Sequence, residues 1–180
     1  AAGEPEIALQ FLERARILSP VASRTRRNLA VARINTGDVE YGRGLLEELL
    51  GDLDQQRADI ALQLAPIFQQ DGRLGEARVL LENACQIDPA NWQCFFALGQ
   101  LALLMGDNDH ALKALVRAGE LSRDRADVAH GLARAYRATG DLEQARSSAE
   151  MAVSLDSTKG DARLLLGELL TQSGQLESAV

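Results

Sequence analysis

Apolar residues recur along this chain with the period of an α-helix. The pattern is clearest in residues 126–159, where apolar side chains lie three or four residues apart on both sides of Gly140. This spacing places them on one face of a helix. The glycine marks a break, because glycine readily adopts the left-handed conformation that ends many helices. The stretch therefore predicts two short helices joined by a turn, each with an apolar face that it cannot bury alone.

The same pattern returns at a nearly constant interval. Glycines that could end the first helix of each pair lie 34 or 35 residues apart, at Gly3, Gly37, Gly72, Gly106, Gly140 and Gly174. We expect one continuous array in which neighbouring pairs bury each other's apolar faces. Its predicted parts are the second helix of a truncated repeat in 1–22, an irregular 35-residue repeat in 23–57, full repeats in 58–91, 92–125 and 126–159, and a truncated repeat in 160–180.

Residues at fixed positions of each repeat carry a family resemblance. Residues 58–91 place apolar or small side chains and a late proline at Ala61, Leu64, Ala65, Phe68, Ala77, Leu81, Ala84 and Pro89. Residues 92–125 repeat the apolar and small positions at Phe95, Leu98, Gly99, Ala102, Ala111, Leu115 and Ala118. This 34-residue pattern resembles the tetratricopeptide repeat (TPR) family. The resemblance covers essentially the whole chain and implies an all-α, right-handed superhelical solenoid of antiparallel helix pairs.

The repeat in 23–57 departs most from the family pattern. Arg26 and Arg33 stand where the family favours apolar residues. Gly42 and Gly44 should each weaken the second helix by about 1 kcal/mol relative to alanine, so we expect this repeat to be the least regular. Pro66, inside a first helix, predicts a kink. In the truncated first repeat we expect a buried stripe of Ala8, Leu12 and Ala15, ended by Pro20.

Composition narrows the class of partner. The net charge of −7 and the pI near 4.9 argue against nucleic acid, because phosphate binding requires clustered Lys and Arg. The sequence has no apolar run long enough to span a membrane and no signal-peptide pattern. Of the 19 basic residues all but two are arginine, which favours a GC-rich, bacterial source. The array starts and stops inside repeats without polar capping helices, so we interpret it as a fragment of a longer array.

The sequence offers no catalytic, cofactor or metal site. His110 and His130 lie in different repeats, and no Cys or His has the spacing of a metal site. The chain is therefore predicted to be non-enzymatic and to use no cofactor. Cys85, near the end of one helix, and Cys94, near the start of the next, allow two interpretations. They form a disulfide in an oxidising compartment, or they are two buried thiols.

Partner binding is expected on the first helices, which line the concave face in the TPR family. Positions 2, 5, 9 and 12 of these helices supply the predicted partner-binding residues Arg24, Arg27, Leu62, Phe96, Gln100, His130, Arg134, Arg137 and Glu168. The apolar centre at Phe96 and the Arg134/Arg137 pair suit a protein or peptide with an apolar anchor flanked by acidic residues. The alternative is an ordinary solvated helix face. Self-association through open solenoid ends also fits the charge pattern.

These features predict a non-catalytic protein–protein interaction scaffold. Long Arg- and Ala-rich arrays of this style resemble those of bacterial envelope assemblies, such as scaffolds for exopolysaccharide export, which favours the periplasm over the cytoplasm. The alternative from another class is the substrate-recruiting region of a larger enzyme of glycosyltransferase or sulfotransferase type. A third interpretation is an architectural spacer without a ligand.

Overall fold

The computed structural model describes residues 4–19, 22–51, 57–172 and 174. Within these ranges the backbone forms ten α-helices in two compact units, Ala1–Ile87 and Asp88–Val180. The first unit contains α1 (Glu4–Leu18), α2 (Ser23–Asn35), α3 (Val39–Gly51), α4 (Arg57–Gln70) and α5 (Leu74–Ile87). The second contains α6 (Trp92–Leu104), α7 (Asn108–Leu121), α8 (Ala126–Thr139), α9 (Leu142–Leu155) and α10 (Gly160–Gln172).

In each unit every helix packs against the next one in the chain, and in the second unit α8 also contacts α6 and α10. None of the described helices combines the length and the apolar character that a bilayer crossing requires.

The predicted turn is confirmed at each of the repeat glycines that the structure describes. Positive φ angles occur at the predicted interval, at Gly37, Gly72, Gly106, Gly140 and Gly174, whereas Gly3 lies outside the described residues. At Gly140 φ is 89°, and the amide of Asp141 donates to the Tyr136 carbonyl at 2.9 Å. The Asp141 side chain then accepts from the Gln144 amide at 3.1 Å. One Gly-Asp pair thus ends a helix and caps the next one.

Glycines let the helices of the second unit approach closely. Leu115 of α7 is fully buried between Gly99 of α6 and Gly131 of α8. A Cβ on Gly99 would stand 2.5 Å from Leu115 Cγ, and one on Gly131 would stand 2.9 Å from Leu115 Cδ2. Neither glycine could carry a side chain unless the leucine moved. Among the described residues the buried side chains are all apolar, and they include Cys85 and Cys94.

The irregular repeat holds its two unexpected arginines in ion pairs. Arg26 donates to Glu48 at 2.8 Å, and Arg33 donates to Glu13 at 2.7 Å. The Arg33 guanidinium also lies over the Tyr41 ring, 5.2 Å from its centroid. The hydrogen bond from Arg33 holds the pKa of Glu13 below its ordinary value, although partial burial opposes the shift. A polar contact therefore joins α1 to α2 at a position where the family uses an apolar residue.

Two expectations for the first unit need correction. Gly42 was expected only to weaken α3, but a Cβ there would stand 2.7 Å from the Ala30 carbonyl oxygen. The close approach of α2 and α3 therefore requires a glycine. In α1, Ala8 is exposed, whereas Leu9 and Leu12 pack against the core. Of the predicted stripe, Leu12 and Ala15 are therefore partly buried, Ala8 is not buried, and Leu9 packs against the core as well.

The sequence predicts a kink at Pro66 and the end of the first helix at Pro20. Helix α4 runs unbroken through Pro66, whose side chain is exposed, so the proline does not end the helix. Pro20 and the connecting residues 52–56 lie outside the described residues.

Candidate protein-binding groove

Helix α8 has a buried face and a polar face. The buried face consists of small and branched residues, Val128, Ala129, Gly131, Ala133 and Ala135. The polar face carries His130, Arg134 and Arg137, which helical spacing places on one stripe. Since α8 contacts both α6 and α10, first helices flank this stripe on both sides.

An open groove of about 280 Å³ lies between α8 and α10. Its lining consists of three polar residues of α8 and four residues of α10: His130, Arg134, Arg137, Asp161, Leu164, Leu165 and Glu168. We call it the α8–α10 groove. Leu164 is its exposed apolar element, with 65% of its surface accessible. The groove therefore offers an apolar contact beside charged side chains of both signs.

The two arginines of the groove differ in their partners. Arg137 Nη1 donates to Glu168 Oε2 at 2.6 Å, and this ion pair neutralises both side chains. Arg134 Nη1 donates to Gln100 Oε1 at 3.0 Å. Because the amide is neutral, Arg134 keeps its positive charge. The sequence predicted the two arginines as one basic cluster, but of the two Arg137 is paired with a carboxylate and Arg134 with a neutral amide.

Asp127, in the first turn of α8, is held by two cations. Arg125 donates to its carboxylate at 2.9 Å, and Lys159 Nζ also donates to it. The hydrogen bond from Lys159 is the main reason that the pKa of Asp127 is lowered, and burial opposes it. The carboxylate therefore stays ionised near the positive end of the helix dipole. Asp127 and Lys159 stand 32 residues apart, so this contact joins the first turn of α8 to the residue that precedes α10.

His130 lies half-buried among these charges. Burial is the main cause that lowers its pKa, and the positive charges of Arg134 and Lys159 lower it further. Asp161 and Asp127 act in the opposite direction with smaller effect. The imidazole is therefore neutral near pH 7. In that state it offers the groove one donor and one acceptor.

Phe96, predicted as the apolar centre of the site, belongs mainly to the packing. It is half-buried, and its ring centroid lies 6.1 Å from that of Trp92. Its ring edge would stand 3.3 Å from a Cβ on Gly131. The structure gives the exposed apolar role to Leu164, which the prediction left out of the binding set. The available signal was its repeat position, which is the same as that of His130 in the preceding repeat.

The predicted residues of the first unit lie on α2 and α4. Arg27 of α2 donates to Asp59 of α4 at 2.6 Å, and 23% of the arginine side chain is exposed. Arg24 is exposed and Leu62 is half-buried. The carboxylate of Asp59 therefore neutralises the positive charge of Arg27.

The described residues contain no group of three or more His, Cys, Asp or Glu side chains that could hold a metal ion. His110 Nδ1 lies 2.8 Å from Asp107 Oδ1, and the same carboxylate caps α7. Helix capping therefore accounts for Asp107 at this turn.

These observations define the class of the protein. Pairs of helices joined by a glycine turn recur every 34 or 35 residues, and two first helices present an open groove lined by polar and apolar side chains. This is the arrangement of a helical-repeat scaffold for protein–protein interaction. Two sequence profiles described as tetratricopeptide repeat match residues 68–134 and 126–159, together just over half of the chain. The chain belongs to the tetratricopeptide repeat family.

Similar proteins agree with this assignment. Human tetratricopeptide repeat protein 7A is 29% identical over 121 residues, which are 67% of this chain and 14% of that protein. The chain thus spans about one seventh of that relative. A MamA structure from Desulfovibrio magneticus superposes with a TM-score of 0.77 at 18% identity, over 87% of this chain and 88% of that one. A thermophilic TPR protein of Thermus thermophilus gives 0.72 at 22% identity, over 94% and 92%. The expected fold class, an all-α TPR solenoid, is confirmed.

Proposed function

We propose that this chain is a non-catalytic scaffold that holds a partner segment in the α8–α10 groove. One observation carries the proposal. Arg134, in the middle of the groove, has the neutral Gln100 as its hydrogen-bond partner and stands beside the exposed Leu164. An uncompensated cation next to an apolar side chain suits a segment that carries a bulky apolar residue close to a carboxylate.

The recognition would use few strong contacts. A carboxylate of the partner can accept from the remaining donors of the Arg134 guanidinium, since a guanidinium carries five N–H groups and one of them is engaged with Gln100. His130 is neutral and can donate or accept a further hydrogen bond. The apolar residue of the partner would cover Leu164. Arg137 and Glu168 remain paired and contribute shape rather than net charge.

A selection from a random-peptide library on the wild-type chain tests this proposal. We expect the selected peptides to combine an apolar residue with Asp or Glu. Arg134→Gln should weaken their binding by about fivefold, the upper range for an exposed ion pair. Gln100→Glu should weaken it similarly, because the new carboxylate would occupy Arg134 from within. The matched control is Arg163→Gln, which removes an exposed arginine of α10 outside the groove.

The result that contradicts the proposal is a set of peptides whose affinity is the same for wild type, Arg134→Gln and Gln100→Glu. Phe96→Ala is a poor probe, because Phe96 packs against Trp92 and its loss would disturb α6. Leu164→Gln is the better apolar substitution, since that side chain is exposed and supports little packing.

The place of this scaffold in a cell stays a proposal. We infer from the arginine-rich composition a bacterial envelope assembly, of which exopolysaccharide export is one example, and the periplasm as its compartment. Expression of the protein in a bacterium, followed by compartment fractionation, tests this. The alternative role, recruitment of a substrate to a larger enzyme, uses the same groove. The identity of a captured natural partner separates the two.

A further inference from the structure

A second concave feature lies on the other side of α8. It is a crevice of about 250 Å³ between α7 and α9, and we call it the α7–α9 crevice. Its interior is mostly apolar, formed by Val116, Gly119, Val128, Leu132, Tyr136 and Met151. None of these residues lines the α8–α10 groove, so the two features use different faces of α8.

The crevice exists because a side chain is missing from α7. Gly119 stands at position 28 of its repeat, where the preceding repeat has Cys85 and the following one has Val153. A Cβ on Gly119 would stand 3.3 Å from Leu132 Cδ1 and 3.8 Å from Val128 Cγ1. A valine at this position would therefore crowd Leu132 and Val128, which line the crevice together with Gly119. The glycine leaves an apolar hollow where the neighbouring repeats place a side chain.

The rim of the crevice is cationic. Arg123 and Arg125 line it, and none of the described residues in the lining is acidic. Arg125 is already engaged, since it donates to Asp127 and its guanidinium lies 4.7 Å from the centroid of the Trp92 ring. Arg123 is exposed and makes no ion pair with any described residue. It also stands at the position where the TPR family often has proline. The charge of the rim thus opposes the net charge of −7 of the chain.

We propose that the α7–α9 crevice is a second docking site, which takes a bulky apolar side chain of a partner segment whose neighbouring residues are acidic. The apolar interior removes the side chain from water, and Arg123 receives the adjacent carboxylate. An apolar cavity of about 150 Å³ is enough to hold a benzene ring, so the crevice accommodates one aromatic or leucine side chain. Met151, with 53% of its surface exposed, forms a flexible apolar lip.

Short peptides provide the test. The probe is acetyl-Glu-Phe-Glu-amide, and the two controls are the Gln-Phe-Gln and Glu-Ala-Glu peptides with the same end groups. We expect saturable amide chemical-shift changes in Gly119, Leu132 and Met151 on titration with the probe. Binding should be about threefold to fivefold weaker for each control, which lacks either the charges or the ring.

Variants separate the crevice from the rest of the surface. Gly119→Val fills the hollow and should abolish the changes. Gly119→Ala adds one methyl group at a tight but tolerable distance, so it should weaken binding in a variant that folds. Arg123→Gln should weaken the charged probe towards the level of the Gln-Phe-Gln peptide, whereas Arg163→Gln should have no effect.

Three outcomes would overturn the proposal. One is the absence of saturable changes at the crevice. Another is equal binding of the charged and uncharged phenylalanine peptides. The third is unchanged binding of the probe by Gly119→Ala and Arg123→Gln. The α8–α10 groove provides an internal reference: changes confined to Arg134 and Leu164 would place the probe in the groove and leave the crevice without a role.

Discussion

Replacing Gly99 by alanine should destabilise the second unit, although the same change usually stabilises a helix. Alanine in place of glycine inside a helix gains about 1 kcal/mol from propensity alone. At Gly99, however, the new Cβ would stand 2.5 Å from Leu115 Cγ, 3.1 Å from Cδ2 and 3.2 Å from Cδ1. Leu115 has no room to retreat, because Gly131 already approaches it from α8. Overpacking of this kind costs about 1–3 kcal/mol, and a side chain held on two sides favours the upper part of that range. The net loss should be about 1–2 kcal/mol.

Urea unfolding followed by far-UV circular dichroism measures this difference. The control is Gly167→Ala, because a Cβ on Gly167 of α10 would meet nothing within 4 Å. That variant should gain up to about 1 kcal/mol. A double-mutant cycle with Leu115→Ala then isolates the contact: with the leucine removed, Gly99→Ala should no longer destabilise.

Two results would refute this reasoning. If Gly99→Ala stabilises the chain as much as Gly167→Ala does, Leu115 is not held between the two glycines. If the loss persists unchanged in the Leu115→Ala background, its cause is not the leucine. In either case the close approach of α6, α7 and α8 would need another explanation.

Three further predictions concern capping and titration. Asp141→Ala removes the cap of α9 and should lower the free energy of unfolding by about 1 kcal/mol in urea. Arg33 lowers the pKa of Glu13 below its ordinary 4.5, so this pair contributes stability above that value and loses it as the pH falls through the lowered pKa. The stability difference between wild type and Glu13→Gln should therefore shrink between about pH 6 and about pH 3. Burial and the Arg134 charge lower the pKa of His130, so an NMR titration should find it below 6.5, and Arg134→Gln should raise it.

The repeat architecture could be predicted because each of its signals is local. Gly140 ends a helix through its own backbone conformation, and Asp141 caps the next helix through a contact three residues away. Such signals depend on the sequence within one turn of helix, and the glycine with positive φ recurs at Gly37, Gly72, Gly106, Gly140 and Gly174. Arg33 shows where this reasoning stops. Its departure from the family pattern was visible, but its partner, Glu13, lies 20 residues away in the chain, so only the packing of α1 on α2 reveals the ion pair.

The exposure of individual side chains on the predicted stripe was harder to predict, for the same physical reason. Repeat positions identified the stripe that contains His130 and Arg134. They did not show that Phe96 would be drawn into packing with Trp92, or that Leu164 would stay exposed. Side-chain burial depends on what the neighbouring helix places opposite each residue. The residues of that neighbouring helix belong to the next repeat of the chain.

The charged contacts between first helices show how Arg134 differs from Arg27 and Arg137 in its hydrogen-bond partner. Arg27 pairs with Asp59, and Arg137 with Glu168, over separations of 32 and 31 residues. In a repeat array such residues are neighbours in space, so each pair cancels its charge locally. Exposed pairs of this kind stabilise the array by at most about 1 kcal/mol each, and a carboxylate in place of Gln100 would have supplied one more. With glutamine there, the hydrogen bond still orients the Arg134 guanidinium without neutralising its charge. Orientation without neutralisation costs the array little stability, and under the proposed function it leaves the Arg134 charge for a carboxylate of the partner segment.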